Sequence, residues 1–133
     1  MRKAGNTTDG QLEKTIRDII KSKAQSRIYL FLLRKNHSRT QDIIKGTRLH
    51  PSTVREALVQ MHQKHLIRRE KIQNDSIGKN PYIYSPLPPV LLIKKYIEDM
   101  EHRLNTLVHL TGQQKNKTTP SIHIHIITKE EMQ

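Results

Sequence analysis

Apolar positions along the chain follow two periods, and the places where the period changes divide it into segments. Leu12, Ile16, Ile19 and Ile20 recur at helical spacing behind Thr8 and Gln11, which fit a capping box, and predict a first helix over 11–22. Ile28, Tyr29, Phe31, Leu32 and Leu33 leave a second helix, 25–35, apolar on most sides, as expected of an element at the centre of a core. Ser38, with Gln41 as its capping partner, is expected to open a short helix over 39–45, with Ile43 and Ile44 turned inward and Gly46 as its stop. Thr47, Arg48 and Leu49 read as a tight turn. Pro51 suits the first position of the next helix, where its missing N–H would be unpaired anyway. That helix, 51–64, gathers Val54, Ala57, Leu58 and Met61 on one face and Ser52, Arg55, Glu56, Val59, Gln60 and Gln63 on the other.

The period then drops to two. Residues 67–73 read as a strand, 74–81 as turn chemistry, and 82–85 as a second strand of aromatic and β-branched residues. Together they predict a β-hairpin with a basic tip. Pro86, Pro88 and Pro89 form a stiff joint. Beyond it a helix over 90–110 carries Ile93, Ile97, Met100, Leu104 and Leu107 at successive spacings of 4, 3, 4 and 3, a heptad seam. The seam is too short for an isolated coiled coil and suits an interface supported by a domain. A polar linker over 111–119 leads to 121–128, where Ile and His alternate as in one more strand. The expected division is a disordered stretch over 1–10, a compact domain over 11–87, a pairing helix over 88–110, and a linker with a strand over 111–133.

Charge adds the next constraint. The 133 residues hold 24 Lys and Arg against 12 Asp and Glu, a formal +12. Residues 1–48 contribute +8, 49–87 contribute +3 and 88–133 contribute +1. A polyanion is the natural partner of the first two thirds. Hydrophobic residues reach 34% and aromatics 4%, lean for a self-sufficient core, so help from a partner subunit is expected. No apolar run approaches the roughly 20 residues of a membrane helix, and no secretory signal opens the chain. With no cysteine there is neither disulfide nor thiolate metal site, and a cytoplasmic location is expected.

A helix, a short helix, a tight turn, a helix and a hairpin, in that order, spell a winged helix-turn-helix. The expected class is mainly α, in the α+β sense, with a C-terminal dimerisation helix. An α-helix fits the major groove of double-stranded DNA, about 12 Å wide, and the second helix of such a pair enters it. Ser52, Thr53, Arg55, Glu56 and Gln60 on helix 51–64 are therefore candidate base-reading residues. Arg39, Thr40 and Arg68 are further candidate contacts, with Lys71 and Lys79 laid along phosphates from a wing tip at 74–81. Pairing of Ile93, Ile97, Met100, Leu104 and Leu107 in a homodimer would set two recognition helices about 34 Å apart. The rival is a monomer whose stripe packs against its own first helix.

Four stretches carry a resemblance. Arg27-Ile28-Tyr29-Leu30-Phe31-Leu32-Leu33, Thr40-Gln41-Asp42-Ile43-Ile44, Pro51-Ser52-Thr53-Val54-Arg55-Glu56-Ala57-Leu58 and Leu66-Ile67-Arg68-Arg69 resemble the DNA-binding domain of archaeal TrmB-type and MarR-type regulators. The likeness runs over residues 12–110. It implies a homodimeric regulator of transcription that reads duplex DNA. His65 stands where those families usually carry Gly, and the long ligand-sensing domain of many TrmB-type proteins has no counterpart, which implies a stripped-down DNA binder.

The remaining chemistry is sparse. His123 and His125 share a face, but two His at i, i+2 without a carboxylate read better as a half-exposed strand than as metal ligands. There is no nucleophile–base arrangement, P-loop or glycine-rich phosphate loop, so a non-enzyme without metal or cofactor is expected. A winged-helix adaptor or architectural nucleic-acid-binding component of a transcription or replication assembly is the alternative. Operator, effector and direction of regulation are not written in the residues.

Overall fold

A computed structural model describes residues 8–72, 82–110 and 120–129. The predicted wing tip, 74–81, with Lys79, and the linker, 111–119, lie outside the described residues. Among the described residues, five helices and a two-stranded antiparallel sheet follow one another: α1 (Asp9–Ile20), α2 (Lys23–Arg34), α3 (Thr40–Thr47), α4 (Pro51–Gln63), β1 (Ile67–Lys71), β2 (Tyr82–Pro86) and α5 (Pro89–Val108). The chain divides into two compact units between Leu87 and Pro88.

In the first unit, α1 starts on the Thr8–Gln11 capping box, so Asp9 and Gly10 are helical rather than part of a disordered stretch. Lys21 closes α1 in the left-handed region, and the Ser22 hydroxyl caps α2 by accepting the Gln25 N–H at 3.2 Å. The apolar excess of α2 is used as expected. Ile28, Tyr29 and Leu32 are fully buried, and α2 contacts α1, α3, α4 and β2. Charge fixes α1 to it: Arg27 pairs with Glu13 at 3.3 Å and Arg34 with Asp9.

The cap of α3 lies one residue later than expected. Arg39 is the N-cap, and its N–H donates to Asp42 Oδ2 at 3.3 Å. Ser38 is committed elsewhere: its hydroxyl donates to Lys35 O at 2.5 Å, and its backbone forms a β-bridge to Tyr84 through Ser38 N–H to Tyr84 O (3.2 Å) and Tyr84 N–H to Ser38 O (2.8 Å). Gly46 lies inside α3 instead of ending it. A Cβ there would meet the Phe31 ring at 1.9 Å, so glycine is what lets α2 and α3 approach so closely.

The hairpin register pairs Ile67 with Pro86, Arg69 with Tyr84 and Lys71 with Tyr82. Ile67 and Tyr84 turn into the core. Leu87 is held twice at the end of the unit: its N–H donates to Leu66 O at 2.9 Å, and its carbonyl accepts the Tyr29 hydroxyl at 2.5 Å. Burial pushes the Tyr29 hydroxyl up to about 12 from an ordinary 10.0.

The second unit holds α5 and the segment 120–129. That segment is not a strand of any sheet. It lies along α5, where both Ile122 backbone groups are taken by one side-chain amide: Asn105 Nδ2 donates to Ile122 O (2.9 Å), and Ile122 N–H donates to Asn105 Oδ1 (2.6 Å). Ile124 N–H donates to Glu101 Oε2 at 2.8 Å. Two residues of extended chain advance about 6.6 Å and four residues of helix about 6 Å, so the alternation stays in step with one helix face. The strand expected from the Ile–His alternation does not form among the described residues; side chains of α5 supply the partners another strand would have given.

Candidate nucleic-acid interface

Helix α4 is positioned from both ends. His50 is its N-cap, and its Nδ1 accepts the Ser52 N–H at 3.2 Å with the Ser52 hydroxyl 2.8 Å away. Val54, Ala57, Leu58 and Met61 anchor one side in the core. Near its other end Gln25, 3% exposed, donates through Nε2 to Gln60 Oε1 at 2.8 Å and accepts Lys64 Nζ through Oε1 at 3.3 Å. This network fastens the last turns of α4 to α2.

What α4 presents to solvent follows from 3.6-residue periodicity. Ser52, Arg55, Glu56, Val59 and Gln63 form one exposed face. Of the predicted base readers, the structure brings Ser52, Arg55 and Glu56 together here. Thr53 is half-buried on the flank, and Gln60, though exposed, spends its amide oxygen on Gln25. Val59, 54% exposed at the centre of the face, was seen on that face in the sequence but not among the candidates. An exposed apolar side chain there suits a thymine methyl.

The flanking candidates separate. Arg39 is exposed in front of α3, but Thr40 is 3% exposed. That burial removes Thr40 from any surface a duplex can touch; the sequence placed it at a helix start without showing what packs over it. On the hairpin, the pleat sets Lys71 on the face of Arg69 and Tyr82, and Arg68 on the opposite face with Glu70 and Ser85. The Arg69 guanidinium stacks 4.4 Å above the Tyr82 ring, which fixes it at the wing. Arg69 was missed because no single-strand pattern announces a diagonal neighbour.

The segment from α3 to β1 that carries this face is rich in unpaired basic side chains. Residues 39–71 hold eight basic side chains, Arg39, Lys45, Arg48, Arg55, Lys64, Arg68, Arg69 and Lys71, against Asp42, Glu56 and Glu70. All eight are exposed, and none joins an ion pair among the described residues. The arginines of α2, by contrast, are paired to α1. Among the described residues no cluster of three or more His, Asp or Glu could hold a metal ion, and no helix is long and apolar enough to cross a membrane.

A short helix, a turn, an exposed polar helix and a following hairpin define the winged helix-turn-helix class, with α4 in the recognition position. The sequence model of the family described as sugar-specific transcriptional regulator TrmB matches residues 22–90, just over half of the chain, and the chain belongs to that family. No curated protein sequence gives a significant match. Among solved structures, the chain is similar to one titled "Possible transcriptional regulator from Methanosarcina mazei Go1", with 21% identity, 78% of this chain and 90% of that one covered, and a TM-score of 0.62. It is also similar to TrmBL2, an archaeal chromatin protein, with 13% identity and a TM-score of 0.59; 78% of this chain matches 38% of that one. A MarR-family transcriptional regulator from Silicibacter pomeroyi is more distant, at 17% identity, 80% and 71% coverage and a TM-score of 0.48.

Proposed function

We propose that the chain is a cytoplasmic homodimeric transcriptional regulator that recognises a roughly palindromic double-stranded DNA site. One observation carries the reading: packing leaves Ser52, Arg55, Glu56 and Gln63 exposed on one face of α4, and the eight basic side chains of residues 39–71 are exposed without an ion pair among the described residues. In this reading Ser52, Arg55 and Glu56, with Val59, meet base edges. Arg39, Arg68, Arg69 and Lys71 meet phosphates, joined by Lys79 of the wing tip. Phosphate contacts set affinity and base contacts set preference. Helix α5 supplies the dimer contact through Ile93, Ile97, Met100, Leu104 and Leu107. Ile93 and Leu107 are exposed, and the other three are half-buried.

Selection of bound sequences from a random duplex pool, followed by a salt titration on the winner, tests the reading. A preferred site bound about a thousandfold more tightly than random duplex is expected. Log affinity should fall with log salt by about 0.9 per phosphate contact. Arg55→Ala should reduce preference by about 1–3 kcal/mol, whereas Lys71→Ala should weaken every duplex alike. Tight binding without preference would favour the architectural alternative, and no binding at low salt would remove DNA as the partner.

A further inference from the structure

The segment 120–129 has two edges, and α5 uses one. In an extended chain, the backbone groups of alternate residues point to opposite edges. The Ile122 N–H and carbonyl are taken by Asn105 and the Ile124 N–H by Glu101, so this edge faces α5. The backbone groups of His123 and His125 face the other way and make no hydrogen bond among the described residues. An extended edge with free donors and acceptors is a template for another strand.

The sequence identifies which strand fits it. Ile122-His123-Ile124-His125-Ile126 reads the same in both directions. Two copies laid antiparallel about a two-fold axis through Ile124 would put His123 opposite His125 and Ile122 opposite Ile126. Every contact then occurs twice, as an isologous interface requires. His123 and His125 are the hydrogen-bonded pair of such a ladder and Ile124 faces its own copy as a non-hydrogen-bonded pair, in agreement with the edge left free. The charge pattern permits the approach: from Thr118 to Thr128 there is no Asp, Glu, Lys or Arg in a chain of +12. Ile126 and Ile127 are also left exposed. We propose that this segment is a second, β-type element of the dimer interface, pairing with the same segment of a second copy in the Ile124-centred register. The pairing presupposes the dimer proposed above.

The chain contains no cysteine, so a single introduced thiol reports the register in the full-length protein. In the proposed ladder the two Ile124 Cα atoms lie about 4.5 Å apart, within disulfide reach. The two Ser121 positions lie about 20 Å apart. Under mild oxidation Ile124→Cys should be captured as a covalent dimer at least tenfold faster than Ser121→Cys. A second variant acts on the backbone. His125→Pro removes the outward N–H and leaves those of Ile122 and Ile124 intact, and should raise the dimer dissociation constant about tenfold. If sedimentation shows a dimer for the unmodified chain but both thiols cross-link at equal rates, the strand pairing is wrong and the α5 dimer stands. A monomeric unmodified chain overturns both.

Discussion

The two units dispose of their apolar side chains in opposite ways. Of the fifteen buried hydrophobic residues among the described residues, all but Leu92 precede Pro88. Of the nine large hydrophobic side chains left exposed, only Leu33 and Val59 precede it. The first unit gathers its apolar surface around α2 and secures the rest with caps and the Arg27–Glu13 and Arg34–Asp9 pairs. In the second, Val90, Leu91, Ile93, Leu107, Leu110, Ile126 and Ile127 stay in water. Large contiguous apolar patches are uncommon on monomers. The contrast is between a unit that buries its apolar side chains within its own fold and one that leaves most of its large apolar side chains exposed.

The sharpest way to break that contrast is to charge the seam. Ile97→Glu with Leu104→Glu should dissociate the dimer at tens of micromolar in sedimentation equilibrium, because unpaired carboxylates would have to be buried. Loss of bivalent attachment should lower affinity for a palindromic duplex by about 10²–10⁴-fold in a gel shift. The far-ultraviolet melt of the first unit should not move. A double variant that stays dimeric would show that α5 is not the contact.

Next in size is the core itself. Leu32 is fully buried, and Leu32→Ala should destabilise the chain by about 2–5 kcal/mol in urea unfolding. Leu107 is 65% exposed; made in the dissociated double variant, Leu107→Ala should stay within about 0.5 kcal/mol. Equal losses would erase the distinction between the units.

Tyr29 offers a pH test confined to the first unit. Burial raises its folded value to about 12 against 10.0, so the protonated hydroxyl is favoured by folding. That contribution is complete below pH 10 and is lost as pH rises from 10 to about 12. Tyr29→Phe should cost about 1 kcal/mol at neutral pH, through the unpaired Leu87 carbonyl. It should also flatten the alkaline fall in unfolding free energy measured at a series of pH values.

Legibility in the sequence followed the range of the interaction. The Thr8–Gln11 capping box, Pro51 at the start of α4 and the apolar face of α4 are set within a few residues, and all are where the pattern put them. Errors arose where a distant residue decides. The Ser38 backbone is drawn into a bridge with Tyr84, Gly46 answers to Phe31, and Thr40 is covered by packing that neighbouring sequence does not encode. The Ile–His alternation announced an extended chain but could not say that Asn105 and Glu101, rather than a strand, would hold it. At the interface, periodicity alone places Ser52, Arg55 and Glu56 on one face of α4. The Gln25 link to Gln60 and the stacking of Arg69 on Tyr82 needed three dimensions.

The smallest expected effect concerns His65, at the corner between the recognition helix and the wing. Its φ is 62°, the left-handed region, where a side chain costs about 1–2 kcal/mol relative to glycine. The corner is built from backbone: His65 N–H donates to His62 O at 3.1 Å, and Leu66 N–H to Met61 O at 2.9 Å. Neither bond needs the imidazole, which is exposed. Glycine would relieve the strain but add about 0.5–1 kcal/mol of unfolded-state entropy. His65→Gly should therefore stabilise the first unit by only about 0.5 kcal/mol in urea unfolding, and leave the dimer dissociation constant unchanged. A loss of stability would mean that the ring makes a contact worth more than the strain it carries. A shift in dimerisation would show that the corner of the first unit and the seam of the second do not act independently.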